Sequence, residues 1–279
     1  MENRDVEKMR SIFETNLSQL GCCFLNNNGY SIGIPRISQA LFTQLFIFFY
    51  NAKIIDMKAQ ELAREYIQIK DDNGKIIGCG FNQSWLNNTD LKALSNQGCG
   101  MISAIDCTLY LSGITSIDHD DYIQLCKSFS KTIVFTKLFT YEFLGKFSIG
   151  ILPFQICKYI SSINRKAKWN GIHGHINMLS TMDEMLGNNI PVIWGLYRYN
   201  RKITLYSYDS INDTYKATAS TNSHYVNAIA IIHNDTQIHN TMIKVSSWGQ
   251  IFYIDYDEYL AYVGNSIISK FCSNIVVID

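Results

Sequence analysis

From Pro191 to Ile254 the chain is a succession of short β-branched and aromatic runs, each closed by turn residues. Pro191-Val-Ile-Trp-Gly-Leu-Tyr, Lys202-Ile-Thr-Leu-Tyr-Ser-Tyr, Tyr225 to Ile232, Met242 to Val245 and Ile251-Phe-Tyr-Ile all read as strands. Strands this close in sequence pair most simply as neighbours in an antiparallel sheet. Before Asn188 the pattern is different. Val6, Met9, Ile12, Phe13, Leu17 and Leu20 recur at helical spacing through residues 3–20, and Gly21 follows as a stop. Ile37 to Tyr50 predicts a buried helix and Met57 to Glu65 a short one. Tyr66-Ile-Gln-Ile-Lys, the turn Asp72-Asn73-Gly74 and the returning Lys75-Ile-Ile-Gly predict a β-hairpin. Further helices are expected over Gly100–Leu111, Asp120–Lys131 and His175–Leu186. A helical half followed by a stranded half predicts an α+β fold of two lobes meeting in a groove.

The chain has 279 residues, enough for one large domain or a domain with an extension. We expect a helical extension with the hairpin over 1–80 and the main domain over 81–279. Lys plus Arg equal Asp plus Glu at 24 each, so no net field favours nucleic acid or anionic lipid. The most apolar stretch, Ile37 to Tyr50, is too short to span a bilayer. The charged start, Met-Glu-Asn-Arg-Asp, lacks the apolar core of a signal peptide. A cytoplasmic protein, or one delivered without such a leader, is therefore expected. None of the eight cysteines (Cys22, Cys23, Cys79, Cys99, Cys107, Cys126, Cys157 and Cys272) has zinc-ligand spacing. No metal or other cofactor is expected. Most of these residues read as buried thiols, and a reducing compartment leaves an unpaired thiol free to act.

Cys99 is the exception. It follows a Gly-containing turn at the start of a predicted helix, where the helix dipole stabilises thiolate. Gln97 nearby offers an amide N–H for an oxyanion. His224 stands at the mouth of an apolar strand, and Ser246-Ser247-Trp248-Gly249 ends the next one. Antiparallel pairing can bring a base at one strand's start beside a polar group at the next strand's end. That supplies the thiol, imidazole and orienting group of a cysteine nucleophile.

Several segments resemble the papain-like cysteine peptidases. Asn96-Gln97-Gly98 with Cys99-Gly100 is similar to their Gln-Gly…Cys-Gly segment, which precedes a long central helix. Trp85 resembles the tryptophan near the start of the mature enzymes, and Gly187-Asn-Asn-Ile-Pro191-Val192 the entry to their stranded lobe. His224-Tyr-Val-Asn-Ala resembles their catalytic-histidine strand, and Ile243-Lys-Val-Ser246-Ser247-Trp248-Gly249 their Lys-Asn-Ser-Trp-Gly segment. The Tyr253-Ile-Asp-Tyr-Asp-Glu-Tyr run is closer to bacterial double-glycine peptidases. The resemblance spans about residues 85–255, with little contribution from 115–185. It implies a peptide or protein substrate, with Cys99 as nucleophile, His224 as base, Ser246 as orienter and Gln97 at the oxyanion. It also implies Gly98, Gly100, Ser223 and Trp248 along the substrate path, with Trp248 over the histidine.

Two departures leave alternatives open. In the commonest pattern a second cysteine, further on, is the nucleophile; here that place falls on Ile102 or Ser103. Cys99 as nucleophile matches instead the relatives whose catalytic cysteine is followed directly by glycine. If it does not act, the chain is a papain-fold pseudoenzyme that binds a peptide in its groove. The second departure is Ser246, standing where the family has asparagine; its hydroxyl would accept from imidazole Nδ1–H, with Asn240 in reserve. His173 and His175 flank a glycine and read as surface loop, as do His233 and His239. Asp118-His119-Asp120-Asp121 reads as a helix start.

Overall fold

The computed structural model describes residues 59–132, 150–171, 175–233 and 241–279, all within the unit Met57–Asp279. The helices expected over 3–20 and 37–50 lie outside these residues, as do Cys22, Cys23, His173, His239 and Asn240.

Nine strands form the larger sheet. They are β1 (Gln60–Glu61), β5 (Ala167–Trp169), β6 (Val192–Tyr197), β7 (Ile203–Asp209), β8 (Thr214–Thr221), β9 (Ser223–His233), β10 (Thr241–Ser247), β11 (Gln250–Asp255) and β12 (Ile275–Ile278). Their order is β5-β12-β6-β9-β10-β11-β7-β8, with β1 added to β9. A smaller sheet joins β2 (Gln68–Lys70) to β3 (Ile76–Cys79) and β4 (Ser116–Asp118). The sheets are antiparallel except for the β2–β4 pair. Strand β9 lies between β6 and β10 and buries Val226, Asn227, Ala228, Ala230 and Ile231, adjacent residues that face opposite sides of the sheet. A strand buried on both faces explains a run of apolar residues without alternation.

The helices are α1 (Cys99–Leu111), α2 (His119–Thr132), α3 (Pro153–Ser161), α4 (Met178–Gly187), α5 (Tyr256–Val263) and α6 (Ile267–Cys272). Helix α1 packs on β9, and Met101, Ala104, Ile105, Cys107 and Tyr110 are fully buried. Burial of Ile105 alone contributes roughly 2 kcal/mol. After α1, Gly113 at φ +83° turns the chain and ends the helix. The architecture is α+β.

The hairpin at 66–78 and the helices at 100–111 and 120–131 stand close to their expected bounds, and the fourth helix begins at Met178. The helix expected over Met57–Glu65 is corrected: Gln60 and Glu61 pair with Ile231 and Ala230 as strand β1. Tertiary pairing overrides helix propensity there, and Leu62 enters the core. Because β1 joins β9 and β2 pairs with β4, residues 60–70 are hydrogen-bonded to segments beyond residue 81. Strand β8, a mostly exposed edge strand, is not among the expected strands: only Tyr215, Ala217 and Ala219 alternate with its polar residues, and two of the three are small. Among the described residues, no helix is long and apolar enough to cross a membrane.

Candidate active site

Cys99 is the first residue of α1, and Gly98 is its N-cap. Ile102 N–H is the first to bond back, to Gly98 O, so the N–H groups before it have no partner within the helix. The backbone of Tyr225, Gly100 and Cys99 itself lies beside the Cys99 thiol. It favours thiolate, but burial outweighs this and pushes the thiol above its ordinary value. Packing of α1 on β9 sets this thiol against the strand that carries His224.

The two flanking glycines make this approach possible. A Cβ on Gly100 would lie 2.9 Å from Ile151 Cβ and 3.1 Å from Tyr225 Cδ2, and one on Gly98 would lie 2.6 Å from Leu94 O. Both are buried, and neither lines a cavity. They are packing residues, not the substrate contacts expected of them.

His224 is buried on β9, and burial drives its imidazole down to about 3. The ring is therefore neutral across the physiological range. Its Nε2 lies 2.6 Å from Ser247 Oγ. The hydroxyl beside the imidazole is thus that of Ser247, not Ser246, and it lies at Nε2, not Nδ1. Ser246 Oγ donates to Cys79 O at 2.9 Å and ties the end of β3 to β10. Trp248 lies over the imidazole, ring centroids 4.5 Å apart. Strands β10 and β11 are joined by only Trp248 and Gly249, at φ +49° and +74°. A two-residue hairpin turn of type I′ requires positive φ at both positions. For a tryptophan this costs about 1–2 kcal/mol. The strained turn is what lays the indole on the histidine.

Gln97 lines neither cavity beside Cys99, whereas Gln83 lines the smaller one. Gln83 opens a 3₁₀ turn over Gln83–Asn88, capped by Asn82. Among the described residues its buried Oε1 has no hydrogen-bond partner. Sixteen residues of sequence separate Gln83 from Cys99, whereas Gln97, expected at the oxyanion, is only two residues away. Ile102 and Ser103 are buried one turn beyond Cys99 and reach the small cavity without lining the groove.

Cys99, His224 and Tyr225 stand between two unlike spaces. On one side is a groove of about 630 Å³ formed by Ile151, Leu152, Pro153, Leu196, Ile268 and Phe271 with Ser223 at its margin; among the described residues, no acidic or basic side chain other than His224 lines it. On the other is a cavity of about 10 Å³ whose polar lining includes Gln83, Ser103, Asp106, Asn227, Ser246 and Ser247. Cys99 and His224 line both spaces without a direct hydrogen bond between them. His175, read as surface loop, places Nε2 2.6 Å from Ser273 O. Among the described residues, no three His, Cys, Asp or Glu side chains are grouped to hold a metal ion. In comparisons with known proteins, no family model matches the chain, and no curated protein matches it.

Proposed function

We propose that the chain is a cysteine peptidase, or a related acyl-transferring hydrolase, of papain-like two-lobed architecture, acting on peptide-like amides. The observation that carries this reading is the meeting of Cys99 with His224. The thiol at the head of a buried helix and an imidazole held by Ser247 beneath Trp248 both line one open groove. That Ser103 and Ile102 stay out of the groove favours Cys99 as nucleophile.

In this mechanism the resting pair is neutral. As Cys99 Sγ bonds to the carbonyl carbon, its proton passes to His224 Nδ1, and Nε2–H donates to Ser247 Oγ. The carbonyl oxygen becomes an oxyanion, and the Gln83 amide with the Cys99 N–H stabilises it. The C–N bond then breaks, and Nδ1–H protonates the departing amine. Water or a second amine attacks the thioester and gives its proton to Nδ1; as the C–S bond breaks, Nδ1–H returns that proton to Cys99 Sγ and the neutral pair is restored. The acyl portion of the substrate occupies the apolar groove beside Leu196, Ile268 and Phe271.

The test is acylation by an activated ester of an N-blocked leucine, followed by mass mapping. A single adduct on Cys99, absent in Cys99→Ala and strongly slowed in His224→Ala, is expected. Adducts spread over other thiols, or none at all, would overturn the peptidase in favour of a pseudoenzyme.

A further inference from the structure

Beneath the Cys99–His224 pair lies a buried carboxyl that the proposed mechanism leaves unused. Asp106 is 3% exposed and lies seven residues after Cys99 on α1, so that Cys99, Ser103 and Asp106 fall on one face of the helix. With Cys99 and His224 it lines the small cavity. Its Oδ1 accepts from Tyr122 Oη at 2.7 Å, and its Oδ2 from Phe81 N–H at 3.3 Å. Phe81 begins the arm that carries Gln83. A Cβ on Gly80 would lie 2.7 Å from Asp106 Oδ2 and would also strike Ser246 Oγ, so carboxyl, arm and β10 meet within one residue's width. Ser246 in turn precedes Ser247, which holds His224. Asp106 therefore stands where the nucleophile helix, the Gln83 arm and the histidine's support converge.

We propose that Asp106 is a positioning residue of this site, locking the Gln83 arm and the Ser246–Ser247 corner onto α1, and that gain or loss of its proton modulates the reactivity of Cys99. The proposal rests on the assignment of Cys99 and His224 made above. The titratable groups around Asp106 are Tyr66 before β2, Cys79 on β3, Cys107 on α1, Tyr122 and Cys126 on α2, and His224 across the cavity. None of them is positively charged near neutral pH. Without a cation to favour carboxylate, burial raises Asp106 to about 7, against the pull of the Tyr122 and Phe81 hydrogen bonds. Around neutrality the cavity behind the imidazole thus alternates between a neutral acid and an anion. The charge of Asp106 changes at the wall of the cavity that Cys99 and His224 share. His224 itself, at about 3, changes charge well outside this window.

The experiment measures iodoacetamide labelling of Cys99, with mass mapping, from roughly pH 5 to 9 in the full chain, beside turnover of the leucine ester. In the wild type an inflection near 7 should appear in both profiles. Asp106→Asn should erase it and lower kcat about tenfold with KM changed less than about twofold, as loss of positioning predicts. Tyr122→Phe removes a donor that favours carboxylate, so the inflection should move to higher pH. Tyr122→Phe keeps the test decisive if Asp106→Asn does not fold. An inflection unmoved in Tyr122→Phe, or one that persists in Asp106→Asn, would overturn the proposal. Cys99→Ala separates the two readings: turnover that survives it sinks the peptidase, whereas labelling of Cys99 tests Asp106 without any substrate.

Discussion

The groove and the small cavity share Cys99, His224 and Tyr225 and differ in almost everything else. The groove is wide and apolar; the cavity is narrow and edged by amides, hydroxyls and one carboxyl. The wide side suits an incoming apolar group, because burying it needs no directed partner. The narrow side suits positioning, since polar groups in a small buried space must satisfy one another in a fixed geometry. Cys99 and His224 stand where these two requirements meet.

The comparison is broken most severely by Cys99→Ala, which should reduce ester turnover by about a thousandfold or more while leaving thermal stability nearly unchanged. Retained turnover would show that the groove has no nucleophile at Cys99. Next in size are the two opposed pH effects on stability. The unfolded state protonates His224 near its ordinary 6.5, while the native state resists down to about 3, so this residue costs stability as pH falls through that interval. Asp106 acts oppositely: the native state keeps its proton up to about 7, so stability falls as pH rises from about 4. Between pH 4 and 6.5 the two slopes offset one another in the wild type. His224→Gln should expose the Asp106 slope and Asp106→Asn the His224 slope, each roughly 3 kcal/mol across that span in urea titrations. Parallel slopes in the two variants would contradict the burial of one or both groups.

The adjacent serines sharpen the contrast within β10. Ser247→Ala should lower kcat about tenfold by freeing imidazole Nε2. Ser246→Ala should leave kcat nearly unchanged and cost about 1 kcal/mol, because Cys79 O loses its donor. The reverse pattern would restore Ser246 as the orienter. Smallest is the effect of Ile268→Asp on the groove wall, where the side chain is 69% exposed. KM for the leucine ester should rise about fivefold, with the melting temperature unmoved, since only uniform binding is lost. An unchanged KM would place the acyl group elsewhere.

Periodicity made the hairpin, α1, α2 and the strands from β6 to β11 other than β8 legible, because each depends on residues close in sequence. Cys99 at a helix start and His224 on an apolar strand were legible for the same reason. The tertiary structure decided the rest. Which of two adjacent serines faces the histidine depends on strand parity, and the register of β10 against β9 shifts between Lys244 and Val245. Motif spacing is blind to that shift. Gln83, and not Gln97, lines the small cavity because the turn carrying it folds there, which distance along the chain does not reveal. Asp106 looks in sequence like any carboxylate. Only the closure of α2 and the Phe81 arm around it removes water and leaves its proton in play near neutrality.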